Sequence, residues 1–327
     1  MKILLTAVLM GVTSVATADI PELNLDTQDV TVSGLSSGGY MATQFHIANS
    51  DWVKGAAVIA AGPYYCARND ITQALSQCVD KMEAPVDIAT LNQQASQWES
   101  EGKIAPLSGL KDSKVWLLHG NRDGRVAEAI SDLLAEQYKT WVPESSIYYS
   151  KNKPFAHVFP TKDKGSVCTL SESPFIGNCD YDAAGEMLSF LLDDLKVPDD
   201  TLSGQVISFS QTDIAGEDAG TMAKTGYAYV PADCATGHAC KVHVSFHGCN
   251  QYAEAIGTDY VDKVGLNRWA DDNQLVVIYP QTRKSLFMPL NPQGCWDWWG
   301  YTNENYATRD GVQIKAVRAI IHRLASN

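Results

Sequence analysis

Residues 30 to 48 read VTVSGLSSGGYMATQFHIA. A β-branched run ends in a serine framed by Gly34 and Gly38, and a helix-like segment begins at once. A strand that passes into a helix without a spacer must reverse at the edge of a sheet, and the serine in such a turn is held in a strained backbone conformation. Glycines on both sides leave room where larger side chains would clash with strand or helix. The turn presents the Ser36 hydroxyl at the sheet edge and aims the Ser37 backbone N–H at the space beside it. Gly-x-Ser-x-Gly recurs by chance. The strand before it and the helix after it make Ser36 a candidate nucleophile rather than a helix-capping serine. Ser33 and Ser37 lack the glycine frame.

Apolar runs and amphipathic segments alternate along the rest of the chain, the pattern of an α/β fold. VTVS (30–33), AAVIAA (56–61), KVWLLHG (114–120) and SIYYS (146–150) read as strands. Helices are predicted after Ser36, over 126–141 and over 182–195. In the second half QVISFS, GYAYVP, KVHVSFHG and LVVIYP read as strands. Residues 309–325 close the chain as a helix whose Val312, Ile314, Val317, Ile320 and Ile321 share one face. The polar KVPDDTLSG at 196–204 is the best candidate boundary, but without linker, repeat or low-complexity tract the reading is one catalytic domain over 19–327.

Residues 1–18 read as an export signal: Lys2, an apolar run over 3–15, then Ala16-Thr17-Ala18 as the cleavage site. No stretch reaches the roughly 20 consecutive apolar residues that span a bilayer. The net charge of −13 becomes −14 when that segment and Lys2 are removed. Such acidity argues against nucleic acid or an anionic membrane as partner and suits a soluble protein outside the cytoplasm, in periplasm or medium, expected to be a monomer. The 8 cysteines of an exported chain should pair. Spacing points to Cys66–Cys78, Cys168–Cys179 and Cys234–Cys240 as local loops, leaving Cys249 and Cys295 to pair at long range. A zinc site is the competing reading, weakened by the lack of any CxxC or HExxH and by scattered histidines.

A nucleophilic serine needs a base, and the base an orienting carboxylate. On strand–turn–helix scaffolds these follow in the order serine, acid, histidine, each on a loop after a strand. KVWLLHGNRDGRV offers Asp123 directly after an apolar strand, and SIYYSKNKPFAHVFPT offers His157 after the next. The other histidines fit less well: His46 and His322 fall in helices, His243 is mid-strand, His119 begins the Asp123 loop, and His238 sits in a small disulfide loop. Asp112 and Glu128 lack the position after a strand.

Only 17 residues, 19 to 35, separate the predicted cleavage site from Ser36. That allows one strand before the turn, where α/β-hydrolases have several. CKVHVSFHGCNQYAE (240–254), a strand ending in His-Gly and a polar loop, is what such folds place ahead of the serine to supply a second oxyanion N–H. Circular permutation reconciles the two, because termini that lie close together tolerate it.

GLSSGGYMATQFHIA, HGCNQYAEAIG, WADDNQLVVIYPQT and GCWDWWGYTN together resemble the single-domain poly(3-hydroxybutyrate) depolymerases, over nearly the whole chain. The resemblance implies a circularly permuted α/β-hydrolase fold, a mainly parallel central sheet flanked by helices. It implies a triad of Ser36, Asp123 and His157, an oxyanion hole of the Ser37 and Cys249 amides, no cofactor and no metal. Larger members carry a linker and a separate polymer-adsorbing domain, and neither is visible here. In CWDWWGY (295–301), Trp296 reads as core, while Trp298 or Trp299 is expected to line a crevice against the polyester backbone. Tyr64 and Tyr65 are similar candidates. The expected function is ester hydrolysis of poly(3-hydroxybutyrate) or its oligomers. A feruloyl or acetyl carboxylesterase on the same scaffold is the nearest alternative, and a non-catalytic polymer-binding protein the more distant one.

Overall fold

The β-branched run before Ser36 is the middle of strand β1 (Leu25–Leu35), which lies inside an eight-stranded sheet. The structure is a computed structural model that describes residues 22–80, 83–84, 86–199 and 201–325. The predicted export signal, with its cleavage after Ala18, lies outside the described residues. Along the chain follow β2 (Val53–Ile59), β3 (Lys114–Gly120), β4 (Ile147–Lys153), β5 (Phe159–Thr161), β6 (Ser166–Val167), β7 (Ile176–Asn178), β8 (Gln205–Ser210), β9 (Thr225–Val230), β10 (Cys240–Phe246) and β11 (Leu275–Tyr279).

The large sheet has the order β4-β3-β2-β1-β10-β11-β9-β8, and only β9 runs against the rest. Strands that come late in the sequence therefore fill the places on one side of β1, as permutation requires. β1 and β10 are parallel with Ser33 opposite Ser245 and Gly34 opposite Phe246. That register brings Ser36 and the His247-Gly248-Cys249 turn to the same edge. Residues on either side of 196–204 share this one sheet.

Alternation along the strands builds two cores. Val30, Val32, Val242, Val244, Val276 and Ile278 face one, with helix α1 (Ser37–Ala48) and the terminal helix Val312–Leu324 packed over them. Leu35, Trp116, Leu118, Val277 and Tyr279 face the other, covered by the helix Ala183–Leu191. That helix starts where Asp182 accepts the Gly185 N–H at 2.9 Å, an N-cap that also receives the Trp269 indole N–H at 2.9 Å. The small sheet, β5-β7-β6, was not foreseen from the sequence. All four expected disulfides are formed.

Three fully buried histidines are neutral. Burial pushes His46 and His243 down to about 3, and His247 to about 4, from an ordinary value of 6.5. His46 is held between the Tyr138 and Ser113 hydroxyls, and His243 between those of Thr31 and Ser33. The unfolded chain binds protons at these rings below pH ~6.5 and the folded chain does not, so stability is full above that value and falls as the pH drops toward 4. Urea unfolding at pH 7.5 and pH 5 is expected to give a clearly lower midpoint at pH 5. An unmoved midpoint would show that these rings do not stay neutral.

Candidate active site

Ser36 has φ 58° and ψ −123°, a backbone region that non-glycine residues enter at a cost of about 1–3 kcal/mol. Two backbone hydrogen bonds and the flanking glycines hold it there. Its N–H donates to the Ile59 carbonyl at 2.9 Å, its carbonyl accepts the Tyr40 N–H at 2.9 Å, and the glycines permit the close approach. A Cβ on Gly34 would sit 2.2 Å from the Gly38 carbonyl oxygen, and one on Gly38 only 2.1 Å from that of Phe246. The Ser36 side chain does not cap α1, so the hydroxyl is left for other work.

Asp123 lies on the turn after β3. Its Oδ1 accepts the Arg125 and Val126 N–H groups at 2.8 and 2.9 Å, and its Oδ2 accepts His157 Nδ1–H at 2.7 Å. Burial works against this carboxylate, but the His157 ring and the hydrogen bonds outweigh it and hold the carboxyl below its ordinary value. With Nδ1 committed to Asp123, Nε2 is the imidazole nitrogen free for a serine. The histidine loop is tied down separately: His157 N–H donates to Ser171 Oγ at 2.9 Å, Ala156 N–H to the Cys168 carbonyl, and Cys168 is bridged to Cys179 beside β7. Ser36 and His157 line one crevice of about 690 Å³.

The Gly248–Cys249 turn packs on the serine. A Cβ on Gly248 would lie 3.5 Å from that of Ser36. Gly248 N–H donates to Gln251 Oε1 at 2.7 Å and Asn250 N–H to the Gln293 carbonyl at 2.7 Å. The Cys249 amide between them is not spent on either bond, and the Ser37 amide, first in α1, has no partner within the helix. Ser37 and Cys249 line the same crevice as Ser36.

The chain's relatives are named consistently. A poly(3-hydroxybutyrate) depolymerase of Delftia acidovorans is 39% identical over 324 residues, 97% of this chain and 64% of that protein. A polyhydroxybutyrate depolymerase of Talaromyces funiculosus is 36% identical over 98% of this chain and 96% of its own length. The chain belongs to the poly(3-hydroxybutyrate) depolymerase family. The chain spans less than two thirds of the Delftia depolymerase and nearly all of the Talaromyces one. The crystal structure of the PHB depolymerase from Penicillium funiculosum matches the fold with a TM-score of 0.86 at 35% identity, over 93% of this chain and 97% of that one. A PHB depolymerase structure with one serine replaced by alanine, complexed with an R3HB trimer, matches equally well. No protein-family model matches the chain.

Within this depolymerase scaffold both expected tryptophans line the crevice: Trp298 stacks on Tyr40 at 4.7 Å, and half-buried Trp299 stands edge-on to Trp298 at 5.5 Å. Trp296 is core, against Phe246. Tyr64, expected at the crevice, is not there. It is fully buried with its hydroxyl on the Ala307 carbonyl at 2.7 Å, because the turn after β2 folds into the core beneath Trp98. Tyr65 packs on Trp98 instead. His119 is still within β3, where it bonds Ser131 at 2.9 Å.

Two supporting residues were missed. Gln251, buried beside Cys249, takes the Gly248 N–H on its oxygen and gives its amide hydrogens to the Pro174 and Phe175 carbonyls at 2.9 and 3.1 Å. It joins the Cys249 turn to the segment that flanks the histidine loop. Asp297, 1% exposed, accepts the Trp299, Gly300, Tyr301 and Thr302 N–H groups and the Thr302 hydroxyl. Burial raises its carboxyl above the ordinary value, with the hydrogen bonds pulling the other way. It shapes the turn that carries both crevice tryptophans, and the Asp-x-x-Gly spacing was the available signal.

Proposed function

We propose that the chain is an exported serine esterase that cleaves poly(3-hydroxybutyrate) or its oligomers through an acyl-enzyme at Ser36. The observation that carries this reading is the 2.7 Å Asp123–His157 hydrogen bond opening into the same crevice as a serine strained into a nucleophile's turn. Ser36 Oγ attacks the ester carbonyl as His157 takes its proton. Asp123 holds the tautomer and stabilises the imidazolium. The Ser37 and Cys249 amides receive the developing oxyanion, a contribution of roughly 3 kcal/mol per donor. His157 returns the proton to the leaving alcohol, and water, activated by the same ring, releases the hydroxyacyl group. Four disulfides suit an oxidising compartment, and no helix among the described residues is long and apolar enough to cross a membrane.

Incubating the purified protein with a polyhydroxybutyrate suspension should release soluble 3-hydroxybutyrate units or short oligomers. Turnover of feruloyl or acetyl esters without polymer release would move the reading to a carboxylesterase, and no labelling by a serine-directed phosphonate would remove the enzyme.

Solid polymer must also be held. Leu286, Phe287, Met288 and Leu290 are 65%, 83%, 90% and 53% exposed on a loop closed by the Ser285–Asn291 pair, and Met288 and Leu290 line the crevice mouth. Burying one such side chain contributes about 1.5–3 kcal/mol. A Leu286→Ser, Phe287→Ser variant, at the two loop residues outside the crevice lining, is expected to lose polymer turnover about tenfold or more while soluble oligomers are cleaved nearly as before. Equal losses on both substrates would assign the loop to the crevice rather than to adsorption.

A further inference from the structure

The crevice carries one permanent charge among its described lining residues, that of Arg125. Its acidic neighbours are engaged elsewhere: Asp123 holds His157, while Glu128 and Asp132 pair with Lys151 at 3.1 and 2.8 Å. Arg125 forms no ion pair with a described carboxylate. Its guanidinium lies 5.5 Å from the centre of the Phe175 ring, which also lines the crevice. Phe175 belongs to the histidine side, since its carbonyl accepts the Phe159 N–H at 2.8 Å. The Arg125 backbone is fixed there too, by its N–H on Asp123 Oδ1. An unpaired cation stands on the His157 wall of a protein whose net charge is −13.

The chemistry of a 3-hydroxyacid polyester gives that position a meaning. Attack by Ser36 leaves the acyl portion on the enzyme and expels the alcohol oxygen of the next unit, which takes its proton from the His157 imidazolium. The leaving portion is always the one that leads to the chain's free carboxyl end, and it lies on the His157 side. When the last ester bond is cut, the departing group is a hydroxyacid whose carboxylate is separated from the carbinol carbon by a single methylene.

We propose that Arg125 binds the terminal carboxylate of soluble oligomers on the leaving-group side of Ser36, directing cleavage toward the ester bonds nearest that end. The proposal rests on the ester-hydrolase reading above. Arginine's planar fork matches a carboxylate with two parallel hydrogen bonds. An anionic oligomer approaching a strongly acidic protein also gains from a local cation that offsets the overall repulsion. Inside a solid polymer, free ends are scarce and the contact is idle, so Arg125 specifies how oligomers are finished rather than how polymer is opened.

The test compares the 3-hydroxybutyrate trimer as free acid with its methyl ester, through kcat/KM and identification of the first products. The free acid is expected to be preferred about tenfold, the size of a partly solvent-screened charged hydrogen bond, with the carboxyl-terminal unit released first. In Arg125→Gln the ratio of acid to methyl ester should fall to about one, and in Arg125→Lys it should be partly restored. Raising ionic strength should shrink the preference in the wild type and not in Arg125→Gln. No preference in the wild type, or a preference that survives in Arg125→Gln, overturns the proposal. Equal loss on both substrates in Arg125→Gln also overturns it, by reducing Arg125 to packing on Phe175. If neither trimer is cleaved by the wild type, the ester-hydrolase reading itself fails and this inference falls with it.

Discussion

Ser36→Ala is expected to reduce ester hydrolysis by about a millionfold while leaving the fold intact, in line with removal of the nucleophile from a serine triad. The neighbouring hydroxyl cannot substitute. Ser37 is buried at the start of α1, and its Oγ accepts the Trp296 N–H at 3.4 Å. Asp123→Asn should cost about 10⁴ in rate, because an amide places N–H groups where His157 Nδ1–H needs an acceptor and stabilises the wrong tautomer. His157→Ala should lose several orders of magnitude as well. The strain at Ser36 supplies an independent check on the turn. Alanine keeps a Cβ at φ 58° and gains little, whereas Ser36→Gly should be both inactive and about 1 kcal/mol more stable than Ser36→Ala. Initial rates on a soluble oligomer, with urea unfolding of each variant, check both statements. Wild-type turnover in any of these folded variants would overturn the roles proposed for the three residues.

Much of this arrangement was legible because its chemistry is local. The elbow is written in consecutive residues, and the strain needs Gly34 and Gly38 at fixed offsets. Asp123 follows a readable apolar strand, and His157 the strand after it. The long-range pairing of β1 with β10 was legible for another reason: a complete hydrolase sheet cannot be assembled in chain order from a serine placed so early. What sequence periodicity could not supply was the identity of faces. The alternation in VTVS reads as one wet side and one dry side, yet both are buried. The polar side is satisfied by a ladder in which Thr31 and Ser33 bond the two nitrogens of His243, and Ser33, Ser245 and Tyr260 continue it at 3.2 and 3.1 Å. Cross-strand partners of this kind exist only once the register is known.

Tyr64 fails for a related reason. An aromatic after a strand and a Gly-Pro turn faces crevice or core according to where that turn leads, and here the Tyr64 N–H is captured by Gln137 Oε1 at 2.6 Å, far along the chain. The helix Ile88–Ser100 was passed over although it carried a signal. Asp87 caps it, and Leu91, Ala95 and Trp98 lie at helical spacing. Its many glutamines and serines concealed a narrow apolar stripe. Gln251 was invisible for lack of any pattern at all, since a buried amide declares its role only through the two loops it joins.

Breaking the Cys249–Cys295 bridge tests whether one bond serves both stability and catalysis. The bridge closes a segment of sequence separation 46, for which the chain-entropy estimate is about 4 kcal/mol. A Cys249→Ser, Cys295→Ser double variant should therefore unfold at a much lower denaturant concentration. The catalytic half of the argument starts from what the bridge connects. On one side is the turn whose amide is proposed to meet the oxyanion. On the other is Cys295, locked by Asn291 through hydrogen bonds of 2.9 Å at both its N–H and its carbonyl, and by the Tyr301 hydroxyl at 2.9 Å. That lock leads directly into Asp297 and the crevice tryptophans, so the bridge ties the turn of the proposed donor to the crevice wall. An oxyanion donor lost outright costs about 10²–10³ in kcat. The loss here should be smaller, about tenfold, because Gln251 still grips Gly248. His247 also still donates from Nδ1 to the Gly248 carbonyl at 2.7 Å while its Nε2 accepts the Thr282 N–H at 3.2 Å. The measurement is kcat on a soluble oligomer well below the variant's melting temperature, with folded sites counted by phosphonate titration. If activity per titrated site equals that of the wild type, the bridge is a staple alone, and Gln251 and His247 suffice to hold the turn.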